Sequence, residues 1–332
     1  MSRRAERNLM VAGVTVPFLA FIVAVVLLWN NGVGWLDLGI MVCFYIFGQL
    51  GITIGYHRML THKSFEPKTP VKVFWAVAAS FAVQGTPAAW VADHRRHHAY
   101  TDVEGDPHSP HLHGHGFWGS ARGLWHAHVG WLIEDGQGID EQRFAPDILE
   151  DKWLNRVGRY YGLIFICTLA FPAAIGFIIG GTWTAALTAL LWGGFVRIFL
   201  AHHFTWSVNS ICHVFGNRPF AVEETDLATN FGWLAIPSMG EAWHHNHHAF
   251  PRSAYHGLRW YQIDPSKYVI KAMEKLGLVT NVITISEERQ EQKLLANGAE
   301  RPAPRHRPSI KDESATAFTS PDRVVGLDTS AR

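Results

Sequence analysis

Three clusters of histidine are the groups in this sequence best suited to chemistry. They are His57-Arg-Met-Leu-Thr-His62, His94-Arg-Arg-His97-His98 and His244-His245-Asn246-His247-His248. The last two share the spacing HxxHH. The chain has 20 His in 332 residues. At that frequency chance predicts roughly 0.07 such matches, so two are not coincidence. Neutral imidazole suits iron, zinc and copper. On a helix, positions i, i+3 and i+4 share a face. The outer pair of HxxHH can approach one metal, while the third histidine points about 100° away, toward a second. Two such segments face to face can bracket two ions, with His57 and His62, on a continuation of the second apolar run's helix, closing the site.

Other chemistries are disfavoured. No carboxylate lies inside the clusters, which argues against the Glu-rich di-iron bundles built on ExxH. Structural zinc wants four closed ligands, fewer than are offered here. Cys43, Cys167 and Cys212 form no CxxC pair, so neither a thiolate site nor a disulfide scaffold is supported. Nearby acids are candidates to orient the imidazoles from behind: Asp106 and Glu241 foremost, then Asp93, Asp102, Glu104, Glu224 and Asp226. The other histidines, including His108, His111, His113, His115, His126, His128, His202, His203 and His256, read as ordinary surface or capping residues.

The clusters need a frame, and the composition points to a membrane. Hydrophobic residues make up 48% and charged residues 17%, a low charged share for a soluble protein. Four apolar runs, about 11–28, 36–54, 160–179 and 184–201, approach the ~20 residues that span a bilayer. Arg3, Arg4 and Arg7 precede the first run. No small-residue cleavage site follows it, so it reads as a retained helix rather than a signal peptide. The short loops 29–35 and 180–183 carry no Lys or Arg, so both termini and the long middle segment are expected in the cytosol. Every histidine lies outside the four runs and falls on that side. Segment 71–91 is a fifth apolar stretch. A crossing there would separate the clusters, so it reads as amphipathic or re-entrant. The expected fold is an all-α membrane protein: residues 1–285 form four spans with a cytosolic helical cap, and 286–332 a disordered tail. A net charge of +1 gives no argument for nucleic acid.

The clusters, in this order and between these runs, resemble the integral-membrane fatty acid desaturases. The nearer likeness is to the acyl-CoA delta-9 (stearoyl-CoA-type) branch, in a bacterial-like form without a fused cytochrome b5 domain. The specific stretches are GITIGYHRMLTH (51–62), WVADHRRHHAYTD (90–102), HVGWL (128–132), TWSVNSICHVFGNRPF (205–220) and GEAWHHNHHAFP (240–251). The resemblance implies nine histidine ligands to a di-iron centre: His57, His62, His94, His97, His98, His213, His244, His247 and His248. Asn209 would act through water, and His245 would not be a ligand. It further implies that Gln84, Trp90, Thr205 and Trp206 bend the acyl chain beside the metals and that Asp93 contacts the substrate. Ala92, Gly85 and Glu134-Asp135 depart from the family's carrier-binding pattern, so acyl carrier protein or a lipid-linked acyl chain stands beside CoA as carrier.

An unactivated methylene C–H is beyond ordinary acid–base chemistry, so a cofactor must carry the hard step. The resemblance implies an O2-dependent reaction that takes two external electrons and leaves a cis double bond and water. No Rossmann fingerprint, CxxCH or four-Cys pattern is present. A separate ferredoxin or cytochrome with its reductase is therefore expected, with Arg95, Arg96 and Arg252 as candidate contacts. One alternative is a hydroxylase on the same scaffold. Another, from a different class, is a membrane metal-binding or transport protein. Transport would need ligands near the bilayer midplane, and the runs hold no His, Asp or Glu except Asp37 at an edge.

Overall fold

A computed structural model describes residues 3–29, 33–134 and 140–297. Its main helices are α1 (Arg3–Trp29), α2 (Trp35–Thr61), α3 (Thr69–Ser80), α4 (Pro87–Ala99), α5 (Gly116–Trp125), α6 (Tyr161–Gly180), α7 (Trp183–His213), α8 (His244–Ala249), α9 (Pro265–Lys275) and α10 (Glu287–Asn297). Between Glu141 and Arg159 three short helices follow one another. A two-residue antiparallel ladder pairs β1 (Glu66–Pro67) with β2 (Val279–Thr280).

Four helices are long and apolar enough to cross a membrane: Arg7–Leu27 within α1, then α2, α6 and α7. Two run well past the expected ends at 54 and 201. Helix α2 has 27 residues and α7 has 31, about 40 and 46 Å at 1.5 Å per residue. A hydrocarbon core is about 30 Å thick. Their C-terminal turns therefore project beyond it, and they carry His57, His202, His203 and His213. His57 lies on the continuation of α2 expected from the sequence, whereas His202, His203 and His213 lie on α7 itself, not outside it as its hydropathy run implied. Hydropathy ends where the apolar residues end; the helix does not.

Segment 71–91 makes no fifth span. Helix α3 stops at Ser80, and the chain turns through Val83 (φ +59°) and Gly85 (φ +102°) before Pro87 opens α4. Helix α3 packs closely on the end of α2. A Cβ on Gly51 would lie 2.2 Å from the Ala79 nitrogen, and one on Gly55 2.6 Å from the Trp75 carbonyl oxygen. Two glycines four apart thus open one face of α2 to the backbone of α3. This stretch of α2, Gly51–Thr61, is a π-helix, a form common at functional sites. It sets the direction in which His57 leaves the helix.

The cap is fastened by buried cations. Arg58 is fully buried; it donates to both oxygens of Asp264 at 3.1 Å, to Glu241 at 3.3 Å and to the Ala254 carbonyl at 3.0 Å. Arg95 donates to both oxygens of Asp147 and to the Leu60 and Phe144 carbonyls. It is buried and committed inside the cap, so it is not the surface contact for an electron donor that its charge suggested.

Helix α10 lies within the stretch expected to lack structure. The Ala221 amide donates to the Lys293 carbonyl at 2.9 Å, Lys293 Nζ donates to the Ala249 carbonyl at 2.7 Å, and Leu294 packs against Phe220, Ala249 and Phe250. A polar segment folds here because it docks on the end of α8, a tertiary contact that leaves no periodic signal. Residues 298–332 of that expected tail lie outside the described residues.

Gly51→Ala is expected to destabilise the protein by about 1–3 kcal/mol, as overpacking does. The measurement is the thermal midpoint of detergent-solubilised protein. An unshifted midpoint would contradict the close α2–α3 contact.

Candidate metal centre

Nine histidines converge in two groups, each with its ligand atoms within 4.8 Å of one another: His57, His62, His94, His98 and His247 in one, His97, His213, His244 and His248 in the other. The helical spacing explains the split. On α4 the outer pair His94 and His98 faces the first group and His97 the second. On α8 the outer pair His244 and His248 faces the second group and His247 the first. The two HxxHH segments therefore meet with opposite polarity. Helix α2 supplies His57, the residue just beyond it is His62, and the last turn of α7 supplies His213. In the first group the Nε2 atoms of His57 and His247 lie 3.1 Å apart, and those of His98 and His247 2.9 Å apart. In the second, the His213–His244 and His248–His244 separations are both 3.1 Å.

Carboxylates fix the rings from behind. His97 Nδ1 donates to Asp106 at 2.9 Å, His213 Nδ1 to Asp102 at 2.8 Å, His248 Nδ1 to Asp226 at 2.9 Å, and His57 Nδ1 to Glu241. Donation from Nδ1 fixes the tautomer and leaves the Nε2 lone pair directed inward. Asp106 and Glu241 were foremost in the sequence reading; Asp102 and Asp226 prove equal to them. Glu104 and Glu224 are exposed, away from the rings. Burial alone would raise the Asp102, Asp106 and Asp226 carboxyls, but the adjoining histidines outweigh it and hold all three below the usual range.

The donor set fits a metal. Burial first, then the charge of neighbouring imidazoles, pushes His62, His94, His98, His244 and His247 well below 6.5. Their neutral form is the metal-binding form. His62 Nε2 is buried with no protein hydrogen-bond partner, and a cation satisfies a nitrogen so placed.

The remaining histidines divide. His245 donates from Nδ1 to the Ala228 carbonyl at 2.8 Å and accepts the Phe220 amide on Nε2 at 3.0 Å, so backbone occupies both nitrogens. His108 is buried and stacks on His97 with centroids 4.5 Å apart. His256 is buried behind the first group; its centroid is 4.6 Å from His247, and neither ring nitrogen has a hydrogen-bond partner. Nothing in its local sequence separates it from a surface histidine.

A cavity opens onto both groups. It is lined by Gln49, Ile52, Thr53, His57, Trp90, His94, Thr205, Val208, Asn209, Ser238, Glu241 and His244. Of the residues expected to meet substrate, Trp90 and Thr205 line it. Gln84 is tied to both: it donates to Thr205 Oγ1 at 2.9 Å and accepts from Trp90 Nε1 at 3.4 Å. Trp206 and Asp93 are not in the lining. Trp206 packs on His202 with centroids 4.9 Å apart. Asp93 is half-buried on α4; burial raises its carboxyl to about 7 against the pull of Arg96. Asn209 shares the lining with His244. Gln49 was missed; its signal is an amide inside an apolar helix. Glu134 pairs with His126 at 2.9 Å, and Asp135 lies outside the described residues.

Fold and site together define a helical protein with four helices able to span a membrane and buried histidine clusters, able to hold metal, that face a cavity. The model of the fatty acid desaturase family matches residues 33–281. The chain is 40% identical to a hex-5-enoyl-[acyl-carrier protein] acetylenase of Moorena producens, over 85% of this chain and 87% of that one. It is 37% identical to an sn-1 stearoyl-lipid 9-desaturase of Anabaena variabilis (75% and 84% covered) and 38% identical to an acyl-CoA C20 Delta5-desaturase of Anemone leveillei (74% and 74%). The chain belongs to the fatty acid desaturase family. It is an oxidoreductase, and its reaction class is desaturation of a fatty acyl chain.

Asp102→Asn and Asp226→Asn keep side-chain shape but weaken the ring anchors. Each is expected to lower metal affinity about 10–100-fold, read as metal retained against a competing chelator. Retention equal to that of the unaltered chain would remove these carboxylates from the site. The metal-free protein should also lose stability as pH falls below 6.5. There the unfolded chain protonates histidines that the fold keeps neutral, at about 1.4 kcal/mol per pH unit for each such group. Unfolding midpoints at pH 7.5 and 5.5 check the sign.

Proposed function

We propose that this chain introduces a cis double bond, at the delta-9 position, into a long-chain saturated acyl thioester. The single observation that carries the reading is the cavity whose wall includes His57 and His94 from one histidine group and His244 from the other. A chain lying in it passes both groups at once. Two iron ions, held by His57, His62, His94, His98 and His247 and by His97, His213, His244 and His248 with Asn209 through water, would supply with O2 and two external electrons the power to oxidise an unactivated methylene. The protein's own part is placement. Trp90 and Thr205 form the wall, and Gln84 braces them. Misplacing the reacting bond by about 1 Å costs on the order of a hundredfold.

Relatives are named for acyl-carrier-protein, acyl-lipid and acyl-CoA substrates; in our reading the branch resemblance favours CoA, with acyl carrier protein or a lipid-linked acyl chain as the alternative carriers. The electrons come in our reading from a separate ferredoxin or cytochrome with its reductase, docking where Arg96 and Arg252 lie. Basic residues are absent from loop 180–183 and gather on the site's side of the four spans, which supports a cytosolic site and cytosolic termini; the membrane in our reading is that of a bacterial cell.

The test is expression in a host lacking its own desaturase, with iron and an electron donor supplied, followed by mapping of double bonds in total fatty acids. New cis-delta-9 acids are expected. An alcohol in their place would favour the hydroxylase reading, and no new product would reject the function proposed. His94→Ala and His247→Ala are expected to abolish product.

A further inference from the structure

The turn between α3 and α4 is held by α7 in a conformation it would not adopt alone. Val83 has φ +59°, a genuine outlier for a β-branched residue. Such strain persists only where the surroundings over-determine it. Three successive carbonyls at the end of α3 are taken by side chains. Phe81 accepts from Arg197 and from Thr168 Oγ1 at 3.1 Å. His202 Nε2 lies 3.0 Å from the Ala82 oxygen and 2.8 Å from the Val83 oxygen, and donates between them. His202 is buried and sits three residues before Thr205, on the same face of α7. One helix face therefore grips the turn at Ala82 and Val83 and receives the next side chain, Gln84, on Thr205.

We propose that His202 is a positioning residue that determines which carbon–carbon bond is desaturated. It acts through Gln84: with the two carbonyls fixed, Gln84 leaves the turn in one direction and holds Trp90 and Thr205 in one register against the acyl chain. The proposal rests on the reading above, that the chain bends past these residues. Adjacent bonds of an extended acyl chain lie about 1 Å apart, the displacement that costs on the order of a hundredfold in rate. A turn loosened by that amount changes which bond reacts, not merely how much.

The experiment uses the full chain in the desaturase-deficient host and reads the ratio of double-bond positions rather than the yield. His202→Leu removes the donor at similar volume. It is expected to raise the fraction of misplaced double bonds about tenfold over the unaltered chain, within the range that a ~1 Å displacement allows. His202→Gln, whose amide nitrogen reaches the place of Nε2, is expected to restore the original ratio. A role in stability alone would lower the yield and leave the ratio untouched; that result from His202→Leu overturns the proposal. Should His202→Leu not accumulate, His202→Asn, whose amide falls short of the carbonyls, is read in the same way, and an unchanged ratio from it is equally decisive. Failure of the underlying reading is distinct, because the unaltered chain then makes no double bond.

Discussion

Nine imidazoles direct their lone pairs at two points, with facing nitrogens about 3 Å apart, and the rest of the structure depends on holding them there. Lone pairs at that distance repel unless a cation or a proton lies between them. A neutral N–H of one ring can bridge a pair, but an additional proton on His62, His94, His98, His244 or His247 is disfavoured, because those rings are buried among one another and a charge there is poorly solvated. The carboxylates behind the rings complete the logic: Asp102, Asp106, Asp226 and Glu241 fix the tautomers so that the inward nitrogens cannot turn away. The arrangement is poorly suited to an empty protein and well suited to a metal-bearing one.

Rigid helices carry the rings to the site. Helices α2 and α7 leave the apolar layer without a break, so His57 and His213 are set by the same helices that cross the membrane. Helices α4 and α8 are short, and each brings three rings of one HxxHH segment. The cap is locked to the end of α2 by a fully buried pair, Arg58, the residue after His57, and Asp264. Breaking one partner of such a pair leaves an uncompensated charge, worth about 3–5 kcal/mol. Position at the metal site and stability of the cap are thus one interaction network.

The same economy applies to the cavity. Its wall comes from α2, α4, α7, the loop before α8 and the first residue of α8, and its brace, Gln84, stands on a strained turn gripped by α7. Small residues let α3 approach α2 closely enough for that turn to lie beside the site. The cavity wall and the histidine groups therefore share α2, α4, α7 and α8, and a shift in any of these helices is felt by both.

Much of this was legible in the sequence. The HxxHH spacing specified which histidines lie together on a helix face, because that depends only on local helical geometry. The apolar runs specified four spans, because bilayer thickness sets their length. The family likeness pointed to His213, which spacing alone could not reach. Local pattern did not determine how far α7 runs, since a helix outlasts its hydrophobic run when a cap packs on it. Nor did it single out Asp102 and Asp226 among seven nearby acids, or show that Arg95 is buried, that 287–297 folds against α8, or that His202 and His256 are interior. Each of these rests on contacts between residues far apart in the chain. His202 meets a carbonyl 120 positions away, and no period or motif records such a pairing. The histidine-held centre was thus determined by spacing within single helices. The carboxylates that orient it and the turn that braces its cavity were decided only when those helices packed.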